Sequence, residues 1–150
     1  MQDSIARSAV AGVIGAVIMN VSMYLIMLIG VETVHPIQVA ADIFVDFQLV
    51  NTTIGLIIGL VGTIALSIAS ALAIVLIFKW TGYDYSILKG IIVVNAIGFS
   101  TMGLFMPLLQ ITPIIQTQPL TNLLALLHLT LIGAVMAVIL NNYRVVGTKR

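Results

Sequence analysis

Three side chains can place polar chemistry inside apolar stretches of this chain: Asn20, Asn95 and His128. A polar group at membrane depth is costly enough that each is a ligand-site candidate by default. Counting about 1.5 Å per residue puts Asn20 and His128 roughly 12 to 15 Å below one boundary, with Asn95 nearer the other. His128 and Asn20 can therefore meet and hydrogen-bond a ligand headgroup, an ion or a quinone-like carbonyl. The plainer alternative is that they satisfy each other or a neighbouring backbone carbonyl. Haem held by two histidines needs a second imidazole at membrane depth, and His35 falls outside the spans.

The other dense set of ionisable groups is Glu32, His35, Asp42 and Asp46. Carboxylates with one imidazole can bind a divalent cation, but neither an EF-hand nor an HExxH spacing is present. This acidic loop reads better as a docking surface for basic residues of a partner. A nucleophile with its base, paired catalytic acids, a phosphate-cradling glycine loop and a zinc helix are all missing, so no enzyme is expected. No metal or other cofactor is expected either. The chain has no cysteine, which removes thiol chemistry. A net charge of +1 gives no basic surface for nucleic acid.

The elements that carry these residues follow from composition. The 150 residues are 61% hydrophobic and 7% charged, with a mean hydropathy of +1.21, far from the roughly 25% charge of a soluble domain. Uncharged runs at 8–31, 47–78 and 90–143 each exceed the roughly 20 apolar residues of a spanning helix, and the last is long enough for two. The first apolar stretch is too long for a signal-peptide core and is read as a retained helix. The expected architecture is an all-α integral membrane four-helix bundle, a single domain over 1–150 with spans at about 5–31, 53–78, 87–109 and 120–141.

Arg7, Lys79, Lys89, Arg144, Lys149 and Arg150 fall on one side of that arrangement, and the first and third connections carry no basic residue. Both termini are therefore expected in the cytoplasm, with the bundle in the inner membrane. Phe78, Trp80, Tyr83, Tyr85 and Tyr143 cluster near the same boundary, as interfacial aromatics do. Gly82 is expected to cap the second span in a left-handed conformation. In the first connection Pro36 opens a short interfacial helix with Gln38, Asp42 and Asp46 on its polar stripe and Ile37, Val39, Phe44 and Phe47 toward its buried side. The third connection cannot be regular helix throughout, because Pro107, Pro113 and Pro119 recur six apart.

Helices in lipid hold together by close packing of small residues. Gly55, Gly59, Thr63, Ser67 and Ala71 recur every four residues, as do Ser8, Gly12, Ala16 and Asn20, and Gly133 with Ala137. These stripes suit packing within the bundle or a seam with a second copy. No acidic or basic group lies in the interior of any span, which argues against a carboxylate-driven proton-coupled transporter and a voltage sensor.

The segment Leu127-His-Leu-Thr-Leu-Ile-Gly133 with Ala137, and the turn from Lys79 to Gly90, resemble the small, functionally uncharacterised four-helix bacterial membrane proteins of the YqhR kind. The likeness covers about 53–141; it implies a bundle with His128 facing inward, and no activity. The function expected from sequence is a non-enzymatic accessory or structural subunit of a larger membrane assembly, in contact with lipids and with other membrane chains or further copies of itself. The alternative is a binder or carrier of a small lipophilic molecule in a polar pocket near His128, Asn20 and Asn95.

Overall fold

The computed structural model describes residues 2–147 and, among them, the side chains of 4–115 and 117–142. Tyr143, Arg144, Lys149 and Arg150, which enter the charge argument above, lie outside the described side chains. Among the described residues the chain is all helical: α1 (Gln2–Leu28), α2 (Pro36–Asp42), α3 (Thr53–Thr81), α4 (Ser86–Ser100), α5 (Met106–Leu109) and α6 (Pro119–Gly147). Short 3-10 turns at Phe47–Leu49 and Pro113–Thr117 complete the connections. Four helical stretches are long and apolar enough to cross a membrane: Ser4–Leu28, Thr53–Thr81, Ser86–Leu109 and Pro119–Asn142. Their outward faces carry Val17, Val21, Val61, Ile92 and Leu131, all exposed, a surface that a water-soluble protein does not tolerate over such an area.

The long helices alternate in direction and pack most closely as two antiparallel pairs, α1 with α3 and α4 with α6. The small-residue stripes make those approaches possible. A Cβ on Gly12 would meet the Ile68 backbone at 2.5 Å, and one on Gly90 would come 2.5 Å from the Gly133 carbonyl oxygen. Gly59 lies against the Ile37 carbonyl, and Gly55 against the carbonyls of Leu49 and Val50. Thr63, Ser67, Ala16 and Ala137 are buried on the same lines. The stripes therefore serve contacts within one chain: α3 uses its own to seat α1 and α2 at once.

At one end of the bundle, which carries Lys79 and Lys89 and is called the basic end here, α3 and α4 are joined by a tight turn. Gly82 there has φ +81° and ψ 177°, so it is not in the left-handed helical well expected of it; Tyr85, at φ 53° and ψ 37°, occupies that well instead. Lys89 Nζ donates to the Thr81 and Gly82 carbonyls, both at 3.0 Å. A cation thus satisfies the carbonyl end of α3, where the helix dipole favours one. Tyr83 packs its ring on Phe78 with centroids 5.1 Å apart. Above them Ala71, Ile74, Val75, Phe78, Met136, Ala137 and Leu140 fill the space between α3 and α6.

The opposite, acidic end is covered by α2 and the third connection. The buried face of α2 is Ala40 and Ala41, whereas Phe44 is 69% and Phe47 44% exposed. Phe44 and Phe47, expected on the buried side, follow the end of α2 and point off the protein, while α2 meets α3 through Ile37, against Gly59, and Ala40, against Gly62.

Between Ser100 and Met106 the third span is not α-helical. Thr101–Phe105 forms a π turn in which the Met106 N–H donates to the Thr101 carbonyl, five residues back. Pro107 accounts for it physically. Its ring has no N–H for the Gly103 carbonyl and would clash with it, so an α-helical register cannot run through this point.

Candidate functional site

Toward the acidic end a partly enclosed chamber of about 510 Å³ lies between the two helix pairs. Met19 and Met23 of α1, Leu66 and Ser67 of α3, and His128, Leu129 and Ile132 of α6 line it. Thr101, Met102 and Phe105 of the π turn complete one wall, and Pro36, Val39 and Ala40 of α2 lie over it. The volume falls in the range of cavities that hold a small organic ligand. A second depression of about 610 Å³ beside Tyr83, Tyr85 and Asn141 is shallow and encloses little.

The three polar residues expected at membrane depth separate into two roles. Asn20 Nδ2 donates to Thr63 Oγ1 at 3.2 Å. Thr63 gives its own proton to the Leu60 carbonyl at 2.9 Å, so it can only accept from Asn20, and this fixes which way the amide faces. Asn95 repeats the device across α4 and α6: its Nδ2 donates to Thr130 Oγ1 at 3.0 Å while Thr130 donates to the Leu126 carbonyl. Each asparagine therefore ties one helix pair together, and neither lines the chamber.

The expected meeting of Asn20 with His128 does not occur, because Asn20 faces α3 rather than α6. His128 does line the chamber. Its Nδ1 lies 2.7 Å from the Leu124 carbonyl oxygen one turn back. A carbonyl only accepts, so Nδ1 carries the proton, and the neutral ring then offers Nε2 purely as an acceptor. Most hydroxyls on the wall are committed to their own helices: Thr63 to Leu60, Ser70 to Leu66 and Thr101 to Ile97. Thr121 donates to Gln118 Oε1. Ser67 makes no such bond, although it is 92% buried against the chamber. Ser67 was legible in the sequence only as a packing residue, since a serine at four-residue spacing among glycines has no other signature.

The acidic-end loop is built largely from its own ionisable groups. His35 caps α2: its Nδ1 accepts from the Ile37 N–H, while Gln38 Oε1 accepts from the His35 N–H at 2.9 Å. His35 Nε2 donates to the Asn20 carbonyl at 3.2 Å, pinning α2 to α1. Burial lowers the His35 pKa from its ordinary 6.5, opposed by that bond to Asn20. Asp46 accepts from the Gln48 N–H and so caps the first 3-10 turn. Asp42 reaches across to the third connection, where one carboxylate oxygen accepts from both the N–H and the Oγ1 of Thr112, the latter at 2.9 Å.

Thr112 is fully buried and holds φ 43°, a left-handed conformation costly for a β-branched residue, so the Asp42 bonds fix a strained turn. Ile43 and Ile111, next to the two partners, line the chamber. Of the four residues read as a partner-docking set, His35, Asp42 and Asp46 thus have partners within the chain, and Glu32 is exposed. Among the described residues no three His, Cys, Asp or Glu side chains lie close enough to hold a metal ion.

Neither a protein family, a curated protein nor a solved structure matches this chain.

Proposed function

We propose that this protein is a non-enzymatic integral membrane protein that binds a small lipophilic molecule in the chamber between its two helix pairs. It lies in the cytoplasmic membrane with both termini and the Lys79–Lys89 turn on the cytoplasmic side. The observation that carries the reading is the chamber itself: about 510 Å³, walled by apolar side chains, with a single imidazole among them. Bundles in lipid gain from filling such space with side chains, since packing is what holds them together. A space of this size kept open beside a tightly filled core suits an occupant.

Orientation follows from basic residues at one end and from aromatic residues at the same level. The accessory-subunit reading drew on small-residue stripes available to other chains. Here those stripes are covered by the chain's own helices, which supports the binder over the accessory subunit.

Native mass spectrometry of the protein extracted from its membrane in mild detergent tests the proposal. The expected spectrum is one chain carrying a reproducible small adduct, and Ala125→Phe, which projects a ring into the chamber, removes the adduct without unfolding the bundle. Other polypeptides at fixed stoichiometry with no small adduct would instead establish the accessory subunit.

A further inference from the structure

We infer that the chamber selects a ligand whose apolar body carries a hydroxyl or phenol head, a hydrogen-bond donor, over the same body ending in an ether or carbonyl. The inference rests on the binding proposal above and narrows it to a ligand class.

With His128 Nδ1–H given to the Leu124 carbonyl at 2.7 Å, the neutral ring presents to a ligand a nitrogen lone pair and no proton. The Leu124 carbonyl is held by α6, where it also accepts the His128 backbone N–H, and rotating the ring away from it would strand the ring N–H donor in an apolar region. The tautomer is thus fixed by the helix rather than chosen by the ligand.

A ligand carbonyl brought to Nε2 sets lone pair against lone pair. An ether does the same, and a hydroxyl completes the bond. Thr63, Ser70 and Thr101 give their protons to helix carbonyls and have none left for Nε2, which leaves the ligand as its donor. Ser67 is the exception, and it reinforces the choice. Ser67 lines the same chamber, and its hydroxyl, beside Gly15 of α1, makes no bond of its own. A hydroxyl head can accept from a serine while donating to an imidazole, whereas a carbonyl can only accept.

The rest of the wall requires the remainder of the ligand to be apolar and slender. Met19, Met23, Met102, Met106 and Met136 contribute flexible thioethers, which adapt to an irregular chain or ring without specifying it. A single-chain isoprenoid alcohol and a small alkylated hydroquinone share this chemistry, and they are separated by the test.

The protein is placed in nanodiscs and titrated with farnesol and farnesyl methyl ether in one arm, and with duroquinol and duroquinone in the other. Farnesol or duroquinol should bind about five- to tenfold more tightly than its partner, the effect of one buried hydrogen bond. The arm that shows the discrimination names the source, chain alcohol or ring phenol. His128→Leu should remove most of the preference without weakening binding of the ether or quinone. His128→Gln, which keeps an acceptor, should retain part of it.

Equal binding within both pairs, or tighter binding of the ether or quinone, would overturn the donor selection and leave the binding proposal standing. Failure of all four probes to bind would overturn both. Should His128→Leu not fold, the comparison within each pair on the unmodified protein still decides.

Discussion

The two ends of this bundle are built from the same helices and treat space in opposite ways. Toward the basic end, Ile74, Phe78 and Met136 are almost completely buried and close the gap between α3 and α6. Toward the acidic end a π turn interrupts the third span, and about 510 Å³ stays open beneath α2. Ile132 and Met136 belong to both regions, as the floor of one and the roof of the other. The difference shows how a chain with almost no charged residues in its spans can still keep an open chamber. Packing at one end holds the pairs together, and that frees the other end to leave a gap.

The sharpest way to break this comparison is to enlarge one glycine at each end. Gly133 lies against the Gly90 backbone, and a Cβ there would come 2.7 Å from the Gly90 oxygen. Gly103 in the π turn has nothing within 4 Å of an added Cβ. Gly133→Leu is expected to cost about 3 kcal/mol or more, because backbone cannot yield as a side chain does. Gly103→Leu should cost less than about 1 kcal/mol. Unfolding in mixed detergent followed by circular dichroism reads both. Equal losses would show that the π turn is packed as tightly as the α4–α6 contact at Gly133.

A smaller effect should follow from opening the cover. Asp42→Ala removes two charge-assisted bonds to Thr112 and releases its left-handed turn. The expected loss is about 1.5 to 3 kcal/mol, concentrated in the third connection. Hydrogen exchange at Thr112 and its neighbours should rise while the core amides of α3 near Ile74 stay protected. Uniform faster exchange would mean that the cover and the core unfold as one unit.

The smallest expected effect is a pH dependence at His35. Burial lowers its pKa below 6.5, so the docked ring favours the neutral form. Above about pH 6.5 the ring is neutral whether α2 is docked or free, and its cap is fully in place. As the pH falls below that value the undocked form takes up a proton first, and docking weakens until the pH has passed through the lowered, docked pKa. A proton on Nδ1 would also face the Ile37 N–H that it now accepts from. The loss should be about 1 kcal/mol, that of one helix cap, seen as faster exchange at Ile37 in acid. His35→Gln should flatten the dependence.

Much of the fold was legible because it is written in one-dimensional terms. Uncharged runs set the spans, and glycines at four-residue spacing marked where helices approach. His128 could be singled out as a polar group at depth. Its real partner could not be, because the choice between Asn20 and its own Leu124 carbonyl depends on which way two helices are rotated. Asn20 and Asn95 looked like ligand groups, yet each has a threonine opposite it on a neighbouring helix, a pairing visible only once the helices are placed.

The chamber left little trace in the sequence, since a cavity is made by what side chains do not reach. Its one local sign was Pro107, which breaks the α-helical register where Thr101, Met102 and Phe105 form part of the wall. The acidic loop misled for the opposite reason. Asp42 and His35 looked available because their acceptors and donors, Thr112 and Asn20, are distant in sequence and mostly backbone.

The central claim, that the acidic half holds a specific small molecule, is tested most directly by photocapture from two neighbouring positions on α6. A photoreactive amino acid at Ala125 faces the chamber, and one at Leu127, which is 57% exposed, faces the surroundings of the bundle. After illumination in native membranes, position 125 should carry one discrete small adduct, while position 127 carries the mixed masses of bulk lipid. The same lipid mixture at both positions, or no adduct at 125, would contradict the account.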